Sequence, residues 1–402
     1  MTTIDAARIR TILDSRGNPT VEVELRSGAH SARVASPSGA STGTHEAQAL
    51  PRGGVEEAVR LFREEIEPKL LGRAPVNQAG LDAWLHELDG TSNFSRIGGN
   101  VAVAVSLANA KIAAAVAGRP LFRFLNNSAH RLPVPFGNVI GGGRHAIGGT
   151  TVQEYLVVSQ GPTIGASVFA NARVHRLVRE ALEKKLPGEP LGRGDEGAWV
   201  ARLEDEDALS LLADVCRATG REVGFPVRPA LDLAASEFYR DGAYHYQDRV
   251  RTREEQIDFV ARLVRDHRLF SVEDPFDEED FEAFAELTKR VGGQCTVIGD
   301  DLFVTNVERL QRGIEAGAGN AILIKPNQIG TLSDTRAAVD LAHKSGYATV
   351  MSHRSGETTD ETIAHLAVAF GCMGIKTGAV GGERVAKLNE LIRIEEELQE
   401  GA

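Results

Sequence analysis

Leu269-Phe270-Ser271-Val272 runs into Glu273-Asp274-Pro275, Cys295-Thr296-Val297-Ile298-Gly299 runs into Asp300-Asp301, and Ala321-Ile322-Leu323-Ile324 runs into Lys325. Short apolar runs separated by helical patterning read as buried parallel strands. A charge at the C-terminal end of such a strand has no packing role. In a barrel of alternating strands and helices, that end is where catalytic residues sit. The pattern extends both ways. Pro229-Ala230-Leu231 leads to Asp232, Ala348 to Ser352 leads to His353-Arg354, and Gly374-Ile375 leads to Lys376. If these strands close a barrel, all of these groups share one mouth. Three carboxylates suit a hard divalent cation such as Mg²⁺. Two lysines facing that cation would have their proton affinity lowered by it. A single such charge would read as a surface ion pair; a series in register does not.

The chain has 402 residues, of which 42% are hydrophobic and 25% charged, ordinary values for a globular protein. A formal net charge of -11 argues against nucleic acid or an anionic membrane as the main partner. An anionic substrate then needs local cations to recruit it. Cys216, Cys295 and Cys372 are odd in number, far apart and in apolar contexts, which points to core packing in a reducing compartment. No continuous apolar run approaches membrane-spanning length, and Met1-Thr2-Thr3-Ile4-Asp5 is no signal peptide. A cytoplasmic location is expected.

Outward from the barrel, Ile4 to Ala35 alternates with period two, the pattern of an antiparallel meander. Ser36 to His45 follows, rich in glycine and hydroxyls, a candidate lid loop over residues 36–45. Helical periodicity covers 55–71, 79–88 and 101–117. Residues 1–130 are therefore expected to form an α+β N-terminal domain capping an α/β barrel over 131–402. The proline-bearing Arg131 to Pro135 marks the boundary. Within the barrel, Gly141 to Gly149 is a second glycine-rich loop, carrying His145. Glu154 stands at the start of its strand, which suggests that the early strands run antiparallel. The amphipathic helix Glu383 to Leu398 is expected to turn its charges to solvent.

Longer motifs carry a resemblance. Ile12 to Val23 (ILDSRGNPTVEV), Pro37 to Gly43, Gly194 to Gly197, Leu231 to Tyr239, Val272 to Asp277, Gly299 to Asn306, Lys325 with Asn327 to Thr331, Ser352 to Thr358, and Ile375 to Ala379 occur in this order. Over nearly its whole length the chain resembles the enolase family (phosphopyruvate hydratase). Asp195 to Trp199 and Gly381 to Asn389 are similar to the archaeal style of that family.

The resemblance implies an α+β N-terminal domain, a modified TIM-type (enolase) barrel, a homodimer or higher homo-oligomer, and two Mg²⁺ per active site. It implies a lyase that interconverts 2-phospho-D-glycerate, a small anionic phosphorylated substrate, and phosphoenolpyruvate through an enediolate in glycolysis. By position, Asp232, Glu273 and Asp300 match the ligands of the tighter metal; Asp300 is preferred to Asp301 by the spacing to Lys325 that the family shares. Lys325 matches the base that takes the C2 proton. Glu196, helped by Glu154, matches the acid that protonates the departing hydroxyl. Lys376 matches the lysine on the substrate carboxylate. Arg354 and Ser355 match the phosphate anchor, His353 and His145 the active-site histidines, and Gln153 a substrate-binding position. Ser41 matches the lid residue that helps hold a second metal near the phosphate. A lysine base paired with Mg²⁺ is a known property of the enolase superfamily rather than a derivation from these residues.

The chain departs from the family's pattern at Ala49-Leu50-Pro51-Arg52 behind the first lid, at Ala146 to Thr151 in the second, and at Pro326. The first two touch lid-adjacent structure, where substrate range can change while the core chemistry stays. They leave open a second reading, a paralogue of phosphonate or phosphinate biosynthesis resembling carboxyphosphonoenolpyruvate synthase.

Overall fold

The computed structural model describes residues 2–39 and 43–400. Strands β1 (Ala6–Leu13), β2 (Pro19–Ser27) and β3 (His30–Ala35) form the expected antiparallel meander, in the order β1-β2-β3. Their alternation buries Val21, Val23 and Leu25 on one face. Helices α1 (Gln78–Asp89) and α2 (Gly99–Val116) follow, and α2 packs on β2 and β3. By length and hydropathy alone, α2 is long and apolar enough to cross a membrane, although Asn100, Ser106, Asn109 and Lys111 interrupt its apolar run. It is 83% buried, which marks a core helix. The helix expected over 55–71 runs Gly54–Leu61, widens at Phe62–Ile66 and ends with Glu67–Leu70. Pro68 has no N–H to give one turn back, and the wider turn before it accommodates that loss.

Eight strands then close a barrel: β4 (Val134–Gly141), β5 (Glu154–Ser159), β6 (Val227–Asp232), β7 (Ser271–Glu273), β8 (Thr296–Gly299), β9 (Ala321–Ile324), β10 (Ala348–Ser352) and β11 (Gly374–Lys376). Each pairs with its successor, and β11 pairs back onto β4. The antiparallel expectation holds for β5 alone. It opposes both β4 and β6, whereas β4 runs parallel to β11. Phe136, Leu156, Val158, Ile298, Leu323 and Val350 fill the interior, so the barrel is a packed core and its chemistry sits at the rim.

Helices α3 (Ile164–Lys185), α4 (Leu332–Lys344) and α5 (Gly382–Glu400) lie outside the strands. Buried Asp82 on α1 accepts from Ser106 Oγ of α2 at 2.7 Å and from Ser333 N and Oγ at the start of α4 at 3.0 and 2.6 Å. This joins the first helices to the barrel. The expectation that α5 turns its charges to solvent fails at Arg384, Lys387 and Glu395, which are buried. Buried charges need partners, and these have them. Lys387 Nζ donates to Thr358 O and pairs with Glu357 Oε2, both at 2.8 Å. Glu395 accepts from Ile164 N at 2.8 Å and so caps α3. All three cysteines are free and buried, and burial pushes each thiol up.

Candidate active site

The six strand ends meet at one mouth. Asp232 and Glu273 are register partners on β6 and β7, and Asp300 follows the last residue of β8. Lys376 ends β11 and sends its ammonium among them. Its Nζ lies 2.8 Å from Asp232 Oδ2, 2.8 Å from Glu273 Oε1 and 3.1 Å from Glu154 Oε1. Lys325 Nζ pairs with Asp300 Oδ2, while Gln328 Nε2 donates to Asp300 Oδ1 at 2.9 Å. Between Asp300 and Asp301, the pairing to Lys325 belongs to Asp300. Asp274 holds this end of β8 in place, because its carboxylate accepts from Asp300 N at 2.9 Å and from Asp301 N at 2.7 Å.

Facing the lysines is a second group. The antiparallel course of β5 brings Glu154 to the mouth, where it pairs in register with Asp232. Glu196 comes from the turn before the short strand Trp199–Val200. Asn138 Nδ2 on β4 donates to Glu196 Oε2 at 3.0 Å. His145 Nδ1 lies 3.6 Å from Glu154 Oε1 and 3.7 Å from Glu196 Oε1, and His353 Nε2 lies 3.3 Å from Glu196 Oε1. His145 Nδ1, His353 Nε2, Gln153 Oε1 and Glu154 Oε2 are buried and make no hydrogen bond among the described residues. Unmet polar atoms converging on one cavity are what a polar ligand satisfies. The cavity leaves about 20 Å³ of free volume for water. Its lining takes in His145, Gln153, Glu154, Glu196, Asp232, Asp300, Lys325, His353, Arg354, Ser355 and Lys376.

At the rim, Arg354 is buried and paired with Glu46, which follows the first lid loop: Nη1 to Oε2 is 2.9 Å and Nη2 to Oε1 is 3.1 Å. Glu46 Oε1 also accepts from Gly43 N at 3.0 Å and from Gln328 Nε2 at 3.3 Å. Ser38, earlier in the same loop, forms a β-bridge with Gly356. Ser41 lies outside the described residues.

Residues 4–125 match the family model described as the enolase N-terminal domain, and residues 129–402 match the enolase C-terminal TIM barrel domain. The chain belongs to the enolase family. It is 54% identical over 400 residues to an enolase of Natronomonas pharaonis, covering 98% of this chain and 99% of that one. Identity to an enolase of Methanothermobacter thermautotrophicus is 52% over 402 residues, with 98% and 97% covered. An enolase of Halobacterium salinarum is 54% identical over 402 residues, with 99% and 100% covered.

The electrostatics of this enolase-family mouth divide it in two. Burial and the neighbouring Glu196 raise Glu154 well above the usual carboxylate range. Burial would raise Glu196 as well, but His353 and His145 hold it well below. Of the two, Glu154 is the one pushed toward the protonated form, since like charges this close resist double ionisation. Burial also lowers both rings, His353 to about 3, so both are neutral at physiological pH.

On the opposite side stand the two lysines, each held by carboxylates at the strand ends. Burial pulls Lys325 and Lys376 down. Asp300 outweighs it for the first, and Asp232, Glu154 and Glu273 outweigh it for the second, so both are raised. The donor set nevertheless fits a hard divalent cation: three carboxylates on adjacent strand ends, with no soft ligand among them. A cation on those oxygens would compete with both ammonium groups and reverse the shift.

Asp274, Gln328, Glu46, Asn138 and Arg384 belong to the site by contact but were not singled out from sequence. Asp274 was within reach, since it sits beside Glu273 at the same strand end. Arg384 falls within the Gly381 to Asn389 match, but its helix periodicity reads as amphipathic and gives no sign of its burial.

Proposed function

We propose that the chain is a carbon–oxygen lyase that reversibly dehydrates 2-phospho-D-glycerate to phosphoenolpyruvate. The observation that supports this best is the opposition of Lys325 to the Glu154–Glu196 pair across one small, polar cavity. Removal of water from adjacent carbons needs a base on one side and an acid on the other. Lys325 would take the C2 proton, and the carboxyl pair would give a proton to the departing hydroxyl. Bound Mg²⁺, held by Asp232, Glu273 and Asp300, would stabilise the second negative charge that forms on the substrate carboxylate when C2 loses its proton. Lys376 supports the carboxylate end. Arg354 and Ser355 anchor the phosphate, with Ser41 and a second Mg²⁺ assigned to that end. Gln153, His145 and His353 offer polar atoms to the hydroxyl side.

The enolase reading is favoured over the phosphonate paralogue by full-length identity above 50% to several enolases. We further infer a capping unit over 1–130, a barrel over 131–402, a cytoplasmic location and a homo-oligomer. Support for the last is membership of the enolase family.

Proton exchange in D₂O tests the roles. Lys325→Ala should abolish exchange of the C2 proton, whereas Glu196→Gln should stop dehydration and leave exchange measurable. Loss of exchange in Glu196→Gln with retention in Lys325→Ala would reverse the assignment.

A further inference from the structure

Arg384, near the start of α5, is fully buried and lies behind the acid side of the site. Its Nη1 is 2.7 Å from His353 Nδ1 and 2.6 Å from Arg354 O. Its Nη2 is 2.7 Å from Ser355 O and 3.4 Å from Asp195 O. Two terminal nitrogens with two hydrogens each thus face four acceptors. A guanidinium has donors only and stays protonated. The ring nitrogen it faces at 2.7 Å must therefore present a lone pair.

We infer that Arg384 is a positioning residue that fixes His353 as the neutral tautomer protonated on Nε2, making His353 a fixed hydrogen-bond donor toward the acid pair and not a carrier of protons. Chemistry at the other ring nitrogen agrees. Nε2 faces Glu196 Oε1 at 3.3 Å and has no full hydrogen bond among the described residues. The opposite tautomer would set a lone pair against that carboxylate oxygen and an N–H against the guanidinium, two repulsions at once. Protonating Nδ1 meets the second of these. The charged groups facing the ring are Glu196, Arg384 and Lys376, and only Glu196 favours a second ring proton. The proton for the departing hydroxyl then comes from the Glu154–Glu196 pair, with His353 Nε2–H available to the oxygen that leaves. Arg384 also ties Ser355 and Asp195 to one point, so the loop after β10 and the loop carrying Glu196 keep their separation.

The inference rests on the dehydration reading only for its kinetic arm. Its first test needs no turnover. The protein, labelled with ¹⁵N at its 11 histidines, is followed by imidazole nitrogen NMR, with the His353 signals assigned by their loss in His353→Gln. His353 should show an unprotonated, hydrogen-bonded Nδ1 and a protonated Nε2, unchanged from about pH 5.5 to 8.5. An Nδ1–H tautomer, or an imidazolium forming in that range, would overturn the inference. In the second arm, Arg384→Met should let the His353 signals broaden or titrate. It should lower kcat for 2-phosphoglycerate on the order of 10- to 100-fold, the range seen when the outer-shell partner of a metal-ligating histidine is lost and taken here for a histidine held in the same way, with a smaller change in KM. Arg384→Lys should recover part of both effects. His353 signals unchanged in a folded Arg384→Met would sink the assignment. If that variant fails to fold, the wild-type spectrum still decides. Wild-type protein inert toward 2-phosphoglycerate would count against the dehydration reading and leave the tautomer result standing.

Discussion

Glu46→Gln should separate the two tasks of the Arg354 guanidinium. The substitution keeps the size of the side chain and an oxygen that can still accept from Gly43 N, but it removes the charge. In the folded chain Arg354 and Glu46 are both largely hidden, with side chains 3% and 7% exposed. Breaking a buried ion pair by neutralising one partner costs about 3–5 kcal/mol when the other charge is left uncompensated, and Arg354 keeps Asn327 Oδ1 at 3.2 Å and the attraction of Asp300 and Asp301. The retained acceptor places Glu46→Gln at the lower end, about 3 kcal/mol. With about 2.1 cal/mol/K of unfolding entropy per residue over 402 residues, that is a fall in Tm of about 3.5 °C.

A phosphate at the same guanidinium should reverse the sign of the comparison. In the wild type it shares Arg354 with a carboxylate; in Glu46→Gln it does not. Relief of that competition is worth at least about 1.4 kcal/mol, or about tenfold in affinity. Inorganic phosphate titrated during differential scanning calorimetry should therefore raise the Tm of the variant at lower concentration, and by more, than that of the wild type. A variant with wild-type Tm and a wild-type response to phosphate would refute both the buried pair and the proposal that Arg354 anchors the phosphate.

Three further outcomes are expected. Asp232→Ala, Glu273→Ala and Asp300→Ala should each lose tight Mg²⁺ binding by isothermal titration calorimetry, since each deletes one hard oxygen ligand; undiminished turnover of chelator-treated wild type would contradict the site. Burial holds His175 below its ordinary 6.5, against the opposing hydrogen bond to Gly197 O. The unfolded chain therefore binds a proton there at a pH where the folded chain does not, and stability falls as pH drops below about 6.5. His175→Gln should flatten that dependence in urea titrations between about pH 7.5 and 5.5, and an unaltered slope would count against it. Asp82→Ala leaves Ser106 Oγ, Gln78 Nε2 and the Ser333 donors without their shared acceptor; a loss of about 3 kcal/mol in calorimetric stability is expected from the unmet buried donors, and a loss below about 1 kcal/mol would mean that water replaces the carboxylate.

The strand-end residues were legible because their signal is local. A buried parallel strand is an apolar run, its end is one residue long, and a charge there stands out in one dimension. Asp232, Glu273, Lys325 and Lys376 all carry that mark. Arg384 does not. Helical periodicity reports only whether a charge falls off the apolar stripe, and it takes a partner to make a buried charge tolerable. The partners of Arg384 lie between 29 and 189 residues away in the chain. The same distance hides Glu46, whose partner Arg354 is 308 residues on.

Glu154 is legible only once the direction of its strand is known. In an all-parallel barrel, a residue at the start of a six-residue strand lies at the far end from the mouth, about 17–20 Å away at 3.3 Å per residue. Because β5 runs backwards, Glu154 instead stands opposite Asp232 and within 3.1 Å of Lys376 Nζ. The reversal has a second effect. Parallel strands need a crossover of a dozen or more residues, usually a helix packed outside the barrel, whereas antiparallel neighbours are joined by a loop at one end. Here that end is the mouth, and the joining loop carries His145 and Gln153. One hairpin thus supplies Asn138, His145, Gln153 and Glu154 to the side of the cavity that holds Glu196, while strand-and-helix units supply Lys325 and the carboxylates opposite. The irregularity in the barrel and the division of the cavity into a glutamate–histidine side and a lysine side have the same structural origin.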